Sequence, residues 1–348
     1  MILHCSAPQK LIQIIINPKN FQIEQKTTLN TDDCLNLDTT FFHKQTFYVN
    51  NRIYFIQNSI SKDNNHIYCA DFDLKKLFPI KNIDTKPSSF RINYSAVIYM
   101  FKIYIFGGLN DNNQPTNMFD SFDISTYKWE KVSTSGKLPL PRHSHCCEII
   151  ENKMILFGGT KSNDIFDREC FYSDINVLDL KTQEWIQLNV NGQIPKYMAY
   201  GYSFKIEDNL ILFLWNDRAN DSHEMECSVL DLNGLKWSYL DLLSKKPELR
   251  YSAASCYNEG LKQVIFYGGF SFTQNEINCV VNDLDQLLLF KDENAEVFSQ
   301  LELYGGDTYE QNFQENIPSQ VEEIKNDYFY KESIVIFINL NKKIKKKR

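Results

Sequence analysis

The hydrophobic residues fall in short, strand-length groups rather than helical stripes. Within residues 142–188, an alternating stretch near Ser144–Ile150 is followed by the apolar run Lys153–Phe157, which ends in Gly158-Gly159. After a variable loop come Ile175–Leu180, a turn, and Trp185–Leu188. Alternation argues a half-buried strand, and a near-continuous apolar run argues a strand covered on both faces. The segment therefore predicts one four-stranded unit. The runs IYIF, LILF and VIFY repeat its second strand elsewhere in the chain.

Three markers keep the same phase as these runs. Glycine pairs stand at Gly107-Gly108, Gly158-Gly159 and Gly268-Gly269. An aspartate precedes a tryptophan by six residues at Asp123/Trp129, Asp179/Trp185 and Asp231/Trp237. A basic residue follows proline at Arg91, Arg142, Lys196 and Arg250. Each marker has a physical task. Glycine adopts positive φ and lets backbone pass closely at the strand end. Aspartate opens a tight turn by bonding its own backbone, and tryptophan fills the space between adjacent sheets.

A four-stranded unit recurring at about 50 residues with these offsets resembles the kelch repeat. The resemblance covers about residues 40–303. It implies an all-β propeller whose sheets pack radially around a channel. The blades are expected at about 41–80, 90–132, 142–190, 197–242 and 250–303. The first blade has lost the glycine pair, the fourth carries Leu214-Trp215 in its place, and the fifth uses Phe290 and Phe298 instead of aspartate and tryptophan. Residues 11–25 resemble the last two strands of a repeat and 320–339 the first two. Pairing the two ends makes a sixth, composite blade, closes the ring and removes exposed edges. Residues 304–319 are expected to be a loose polar link, and 341–348 a basic tail.

Composition narrows the role. Aromatic residues make up 14% of the 348, which favours strands, and no apolar run is long enough for a membrane-spanning helix. No secretory signal is visible, and the nine cysteines show no zinc-like spacing, so a cytoplasmic protein with reduced thiols is expected. The net charge is −7, although the last seven residues hold six positive charges. An acidic body argues against nucleic acid as partner, and one isoleucine among those charges gives no face for membrane insertion. The basic tail is a solvated end, a nuclear-import patch or a contact to an acidic surface such as tubulin or anionic lipid.

Candidate chemistry is sparse. His143 and His145 lie on one face of a strand, as a metal site requires, but no third and fourth ligand accompany them. No metal or cofactor is expected. No nucleophile elbow, phosphate loop, dinucleotide fingerprint or zinc-protease motif occurs. In kelch propellers the loops after the glycine pairs and at the basic corners gather at one end of the channel, and loops on a rigid scaffold carry recognition. That resemblance implies a partner-binding face of Asn110, Asp111, Arg142, His143, Lys161, Asp217, Arg218, Arg250, Tyr251 and Phe270. For the corner arginines, a structural role outweighs binding. The expected function is a non-catalytic scaffold or adaptor for a protein partner, with cytoskeletal, ciliary and ubiquitin-ligase roles all known in the family. The alternative is an enzyme or small-molecule site at the channel mouth, in the manner of kelch-type sugar epimerases or specifier proteins, using Asp217, Arg218, Arg250 and His143.

Overall fold

A computed structural model describes residues 2–7, 10–16, 23–30, 46–50, 52–56, 67–71, 76–80, 85, 87–89, 91–162, 168–215 and 225–240, together with strands at 254–258, 263–267, 270–273, 276–279, 284–288 and 335–339. Apart from one 3-10 turn at Arg168–Cys170, the regular structure of these residues is β.

Each of the first three repeats folds into one sheet. Thr46–Val49, Arg52–Ile56, Ile67–Asp71 and Lys76–Pro79 form one antiparallel sheet, and Ser95–Tyr99, Lys102–Phe106, Phe119–Asp123 and Lys128–Lys131 the next. The third blade comprises Cys146–Ile150, Lys153–Phe157, Ile175–Asp179 and Glu184–Leu188. The fourth comprises Tyr202–Glu207, Leu210–Trp215, Glu226–Asp231 and Lys236–Tyr239. The fifth shows three paired strands, Ala254–Asn258, Gln263–Tyr267 and Leu284–Leu288. Between its second and third strands it carries a separate hairpin, Phe270–Thr273 with Glu276–Cys279.

Two additions are absent from the sequence reading. Ser135–Gly136 runs parallel to Glu184–Trp185, and Asn191–Gly192 runs parallel to Lys236–Trp237. The chain leaving one blade thus adds a short fifth strand to the outer edge of the next. Glycine is required at both places, because a Cβ on Gly136 would lie 2.1 Å from the Trp185 carbonyl oxygen and one on Gly192 2.2 Å from that of Trp237.

The chain ends share a sheet, but not in the expected two-and-two division. Val335–Asn339 pairs with Ile2–Ala7, which pairs with Lys10–Ile16, which pairs with Ile23–Asn30. The C-terminal strand therefore takes the first place in the sheet, not the second, and the N-terminus supplies the other three. First strands of successive blades touch one another from Ser95–Tyr99 through to Val335–Asn339. This places them on the inside of the arrangement.

The core lies in the seams between blades. One cluster joins Phe47, Tyr54 and Ile67 of the first blade to Ile103, Phe122 and Trp129 of the second. Trp185 opens the outer strand of the third blade and is buried against Phe106 and Phe119 of the second, with ring centroids 5.6 and 6.0 Å away. Trp237 repeats this one seam later against Phe157. Each tryptophan therefore fills the gap to the preceding sheet, where its area contributes most.

The hairpin turn of the second blade breaks with its counterparts. Met100 and Phe101 both take positive φ, 46° and 65°, and are 76% and 52% exposed. The equivalent turns carry Asn50 and Glu151-Asn152. Two-residue hairpin turns of this hand favour Asn-Gly. Changing Met100→Asn together with Phe101→Gly is therefore expected to stabilise the protein by about 1 kcal/mol. Thermal unfolding checks this, and an unchanged or lower midpoint would show that the turn carries no strain.

Candidate interaction site

The loops after the glycine pairs and the corners before each first strand lie at the same end of the sheets. Hydrogen bonds knit them together. Gly108 N–H donates to the Arg142 carbonyl at 2.8 Å, and Gly159 N–H donates to that of Met198 at 2.6 Å, so both glycine pairs among the described residues are tied to the corner of the following blade. A Cβ on Gly158 would lie 1.9 Å from the Met198 carbonyl oxygen. A Cβ on Gly159 would meet the Cβ of His145 at 2.8 Å.

The fourth blade solves the same crowding in reverse. Tyr202 pairs with Leu214 as Cys146 pairs with Phe157, so Trp215, one residue further along than the sequence suggests, occupies the place of Gly158. The glycine has moved to Gly201, the counterpart of His145. A Cβ there would lie 2.5 Å from the Leu214 carbonyl oxygen.

Arg142 is completely buried. Its Nη1 and Nη2 donate to the two carboxylate oxygens of Asp174 at 2.6 and 2.8 Å, Nη1 also donates to the Gly158 carbonyl, and Nε donates to that of Leu140. The guanidinium stands 4.2 Å from the centre of the Tyr172 ring. Burial opposes ionisation of Asp174, but the hydrogen bonds from Arg142 outweigh it and hold the carboxyl below its usual range. Arg91 repeats the device in the second blade with Asp120 and the Met118 carbonyl. These two arginines tie a corner to its own blade. Arg142 thus belongs to the interior and not to the exposed face expected from the sequence.

His143 is likewise buried. Its Nε2 meets the Ser162 carbonyl at 3.1 Å and its Nδ1 the Ser144 hydroxyl at 3.0 Å, while its backbone bridges Thr160. Burial lowers its basicity, against the opposing Ser162 carbonyl. His145 Nε2 meets the Ser95 hydroxyl at 2.6 Å, across the seam to the second blade. Burial holds His145 well below the usual histidine range, reinforced by the charges of Arg142 and His143. Among the described residues no three histidine, cysteine or acidic side chains are placed to hold a metal ion.

Other candidates do face outward. Asn110 Oδ1 accepts hydrogen bonds from the backbone N–H of Asn112 at 3.0 Å and of Gln114 at 2.9 Å, which holds the loop in shape. Asp111, Asn112, Asn113 and Gln114 are exposed on it, and Lys161 is exposed on the equivalent loop of the third blade. Phe270 begins the extra hairpin of the fifth blade. Asp217, Arg218, Arg250 and Tyr251 lie outside the described residues, as do Gly268-Gly269, Phe290, Phe298, the 304–319 link and the basic tail.

Glu148 was not singled out by sequence. It stands on the inner strand of the third blade and accepts a 2.5 Å hydrogen bond from the Ser203 hydroxyl of the fourth. Burial pushes its carboxyl up to about 7, with the Ser203 hydroxyl and the Lys205 backbone N–H opposing the shift. A carboxyl raised on folding favours the folded state while protonated. That contribution is complete below the ordinary glutamate range and is lost as the pH rises through about 7. Stability is therefore expected to fall between pH 5 and 8, by on the order of 2 kcal/mol, and Glu148→Gln is expected to flatten the slope. Unfolding midpoints across this range are the check. An identical slope in the variant would remove Glu148 from the account.

The sheets, seams and corner geometry define a β-propeller of four-stranded repeats. The KLHDC2/KLHL20/DRC7 Kelch-repeats domain family matches residues 43–269, and the chain belongs to this kelch-repeat family. It is 27% identical over 218 residues to acyl-CoA-binding domain-containing protein 5 of Arabidopsis thaliana, covering 61% of this chain and 31% of that one. It is 25% identical over 192 residues to the Bos taurus Kelch domain-containing protein 3, covering 53% and 49%. Protein ral2 of Schizosaccharomyces pombe is 29% identical over 180 residues, covering 44% and 29%. The chain thus spans between about a third and a half of these relatives' lengths. Among solved structures, that of YjhT aligns with a TM-score of 0.51 at 19% identity, covering 67% of this chain and 74% of the other, and shares the fold.

Proposed function

We propose that this chain is a non-catalytic interaction module that binds a protein partner through the loops at the glycine-pair end of the propeller. The carrying observation is the loop at 110–114. Asn110 fixes its shape from within while Asp111, Asn112, Asn113 and Gln114 stay exposed. A pre-ordered polar loop on a rigid scaffold loses little freedom on binding, which favours recognition. The corner cations and histidines of the second and third blades, by contrast, are engaged inside the fold. A reducing compartment such as the cytoplasm fits the buried free thiols among the described residues, Cys69, Cys146, Cys147, Cys170 and Cys227.

The test is quantitative affinity purification of the tagged protein from its own cells, wild type against Asp111→Lys with Lys161→Glu. A stoichiometric protein partner lost from the variant, with unchanged unfolding, supports the reading. Equal recovery from both places binding elsewhere, and a chain recovered alone sends the search to metabolites at the channel mouth.

A further inference from the structure

Among the described residues seven large apolar side chains are exposed, and five of them lie on the outer strands of the third and fourth blades or on the segments that run beside them to the corners: Leu138, Leu140, Ile186, Ile194 and Tyr239. The parallel strands bring these segments side by side. Ser135–Gly136 lies along Glu184–Trp185, and the Lys137 ammonium donates to the Gln187 side-chain oxygen. One blade later Asn191–Gly192 lies along Lys236–Trp237, and the Tyr239 N–H donates to the Gln193 side-chain oxygen at 2.9 Å. Only Asn189 and Val190 separate the outer strand ending at Leu188 from Asn191, so one covalent path carries the apolar residues from the third rim to the fourth.

The second blade provides an internal comparison. The two residues after Trp129 are Glu130 and Lys131, both exposed and charged, and Glu130 is paired with Lys102 at 2.9 Å. At the corresponding places the third blade has Ile186 directly after Trp185, and the fourth has Tyr239 two residues after Trp237. The repeat itself therefore does not demand an apolar residue there. Isolated exposed apolar residues are ordinary, but a group on one continuous strip marks contact with something else.

Charge indicates what that is. Segments 135–141, 184–196 and 236–240 carry three exposed lysines, Lys137, Lys196 and Lys236, against one glutamate, Glu184. The whole chain has a net charge of −7, so this strip is locally of opposite sign. Apolar anchors flanked by positive charge attract acidic chains and repel basic ones. We propose that the outer rim of the third and fourth blades is a docking strip for an acidic segment of a partner protein that carries apolar side chains. This strip reaches the corners at Leu140 and Lys196 but does not include the loops at 110–114 and 160–162, and its occupation does not depend on the loop reading.

The test uses the full chain and two displayed libraries of short peptides. In one, acidic and apolar residues alternate at random; in the other, lysine replaces the acidic residues. The expected result is enrichment of acidic peptides only, with affinity weakened at least ~tenfold by Ile186→Thr, Ile194→Ser and Tyr239→Ser combined. Tyr239 stacks on the buried Trp215 with ring centroids 6.3 Å apart, so Ile186→Thr with Ile194→Ser, whose side chains are exposed, is the control expected to unfold at the wild-type midpoint and still to weaken the peptide. Asp111→Lys with Lys161→Glu is expected to leave peptide binding intact, which separates this strip from the loop face. Failure of the acidic library to enrich, equal enrichment of both libraries, or unchanged affinity in the rim variant overturns the proposal. Concentration-dependent dimers in sedimentation that the same rim variant abolishes, without acidic enrichment, assign the strip to a second copy of the chain and also overturn it.

Discussion

Arg142→Ala is expected to destabilise the protein by about 3–5 kcal/mol, because it leaves a partly buried carboxylate, Asp174, without its counter-ion. It also removes donors from the carbonyls of Gly158 and Leu140. Arg142→Lys is expected to recover little, since an ammonium cannot reproduce the forked contact with both Asp174 oxygens. Arg142→Met with Asp174→Leu, which removes both charges, is expected to lie nearer wild type than Arg142→Ala. Denaturant unfolding of the set provides the measurement. A loss below about 1 kcal/mol for Arg142→Ala would put its contribution in the range of a surface pair and reject the anchoring role.

Ending the chain at residue 334 is expected to lower the melting midpoint by on the order of 10 °C. The truncation removes Val335–Asn339, which pairs along Ile2–Ala7 and also touches the first strand of the fifth blade. It would leave the edge of Ile2–Ala7 unpaired. Adding a peptide of residues 330–348 is expected to restore part of the loss. That rescue distinguishes a missing strand from general damage. If the truncated chain melts like the full one, the pairing of the two ends contributes nothing and the six-bladed ring is wrong.

Much of the fold is legible because its markers act through local chemistry. Asp123 Oδ1 accepts from Ser125 and Thr126 N–H at 2.8 and 3.1 Å, and Asp179 Oδ1 from Lys181 and Thr182 N–H at the same distances, so the turn is encoded in adjacent residues. The tryptophans lie on the seams, as their size demands. What escapes the sequence depends on distant partners. Nothing in Ser135-Gly136 or Asn191-Gly192 reveals a strand, because two residues have no period and their partners lie over 40 residues away. Ile2–Ala7 contains Ser6 and His4 among apolar neighbours, too irregular to displace 335–339 from the second place.

The candidate site is less legible for the same reason. An arginine after proline looks alike whether it faces solvent or a carboxylate, and only Asp174, 32 residues on, decides the case. The exposed status of Asp111 and Lys161 follows their loops, which sequence does locate. Glu148 is marked by no motif; its character comes from Ser203 on another blade.

The ties from Gly108 to Arg142 and from Gly159 to Met198 mean that the unit of inheritance and the unit of stability are out of phase. A sheet begins after its corner, yet these two glycine pairs are held by the corner that follows. Cutting out a blade at its sheet boundaries would leave one orphaned corner and one unheld glycine pair. A segment excised from one basic corner to the next would leave a junction of like kind. Gain or loss of blades in such a chain is therefore tolerated in corner-to-corner steps, and recombination points belong in the loops at that end of the molecule.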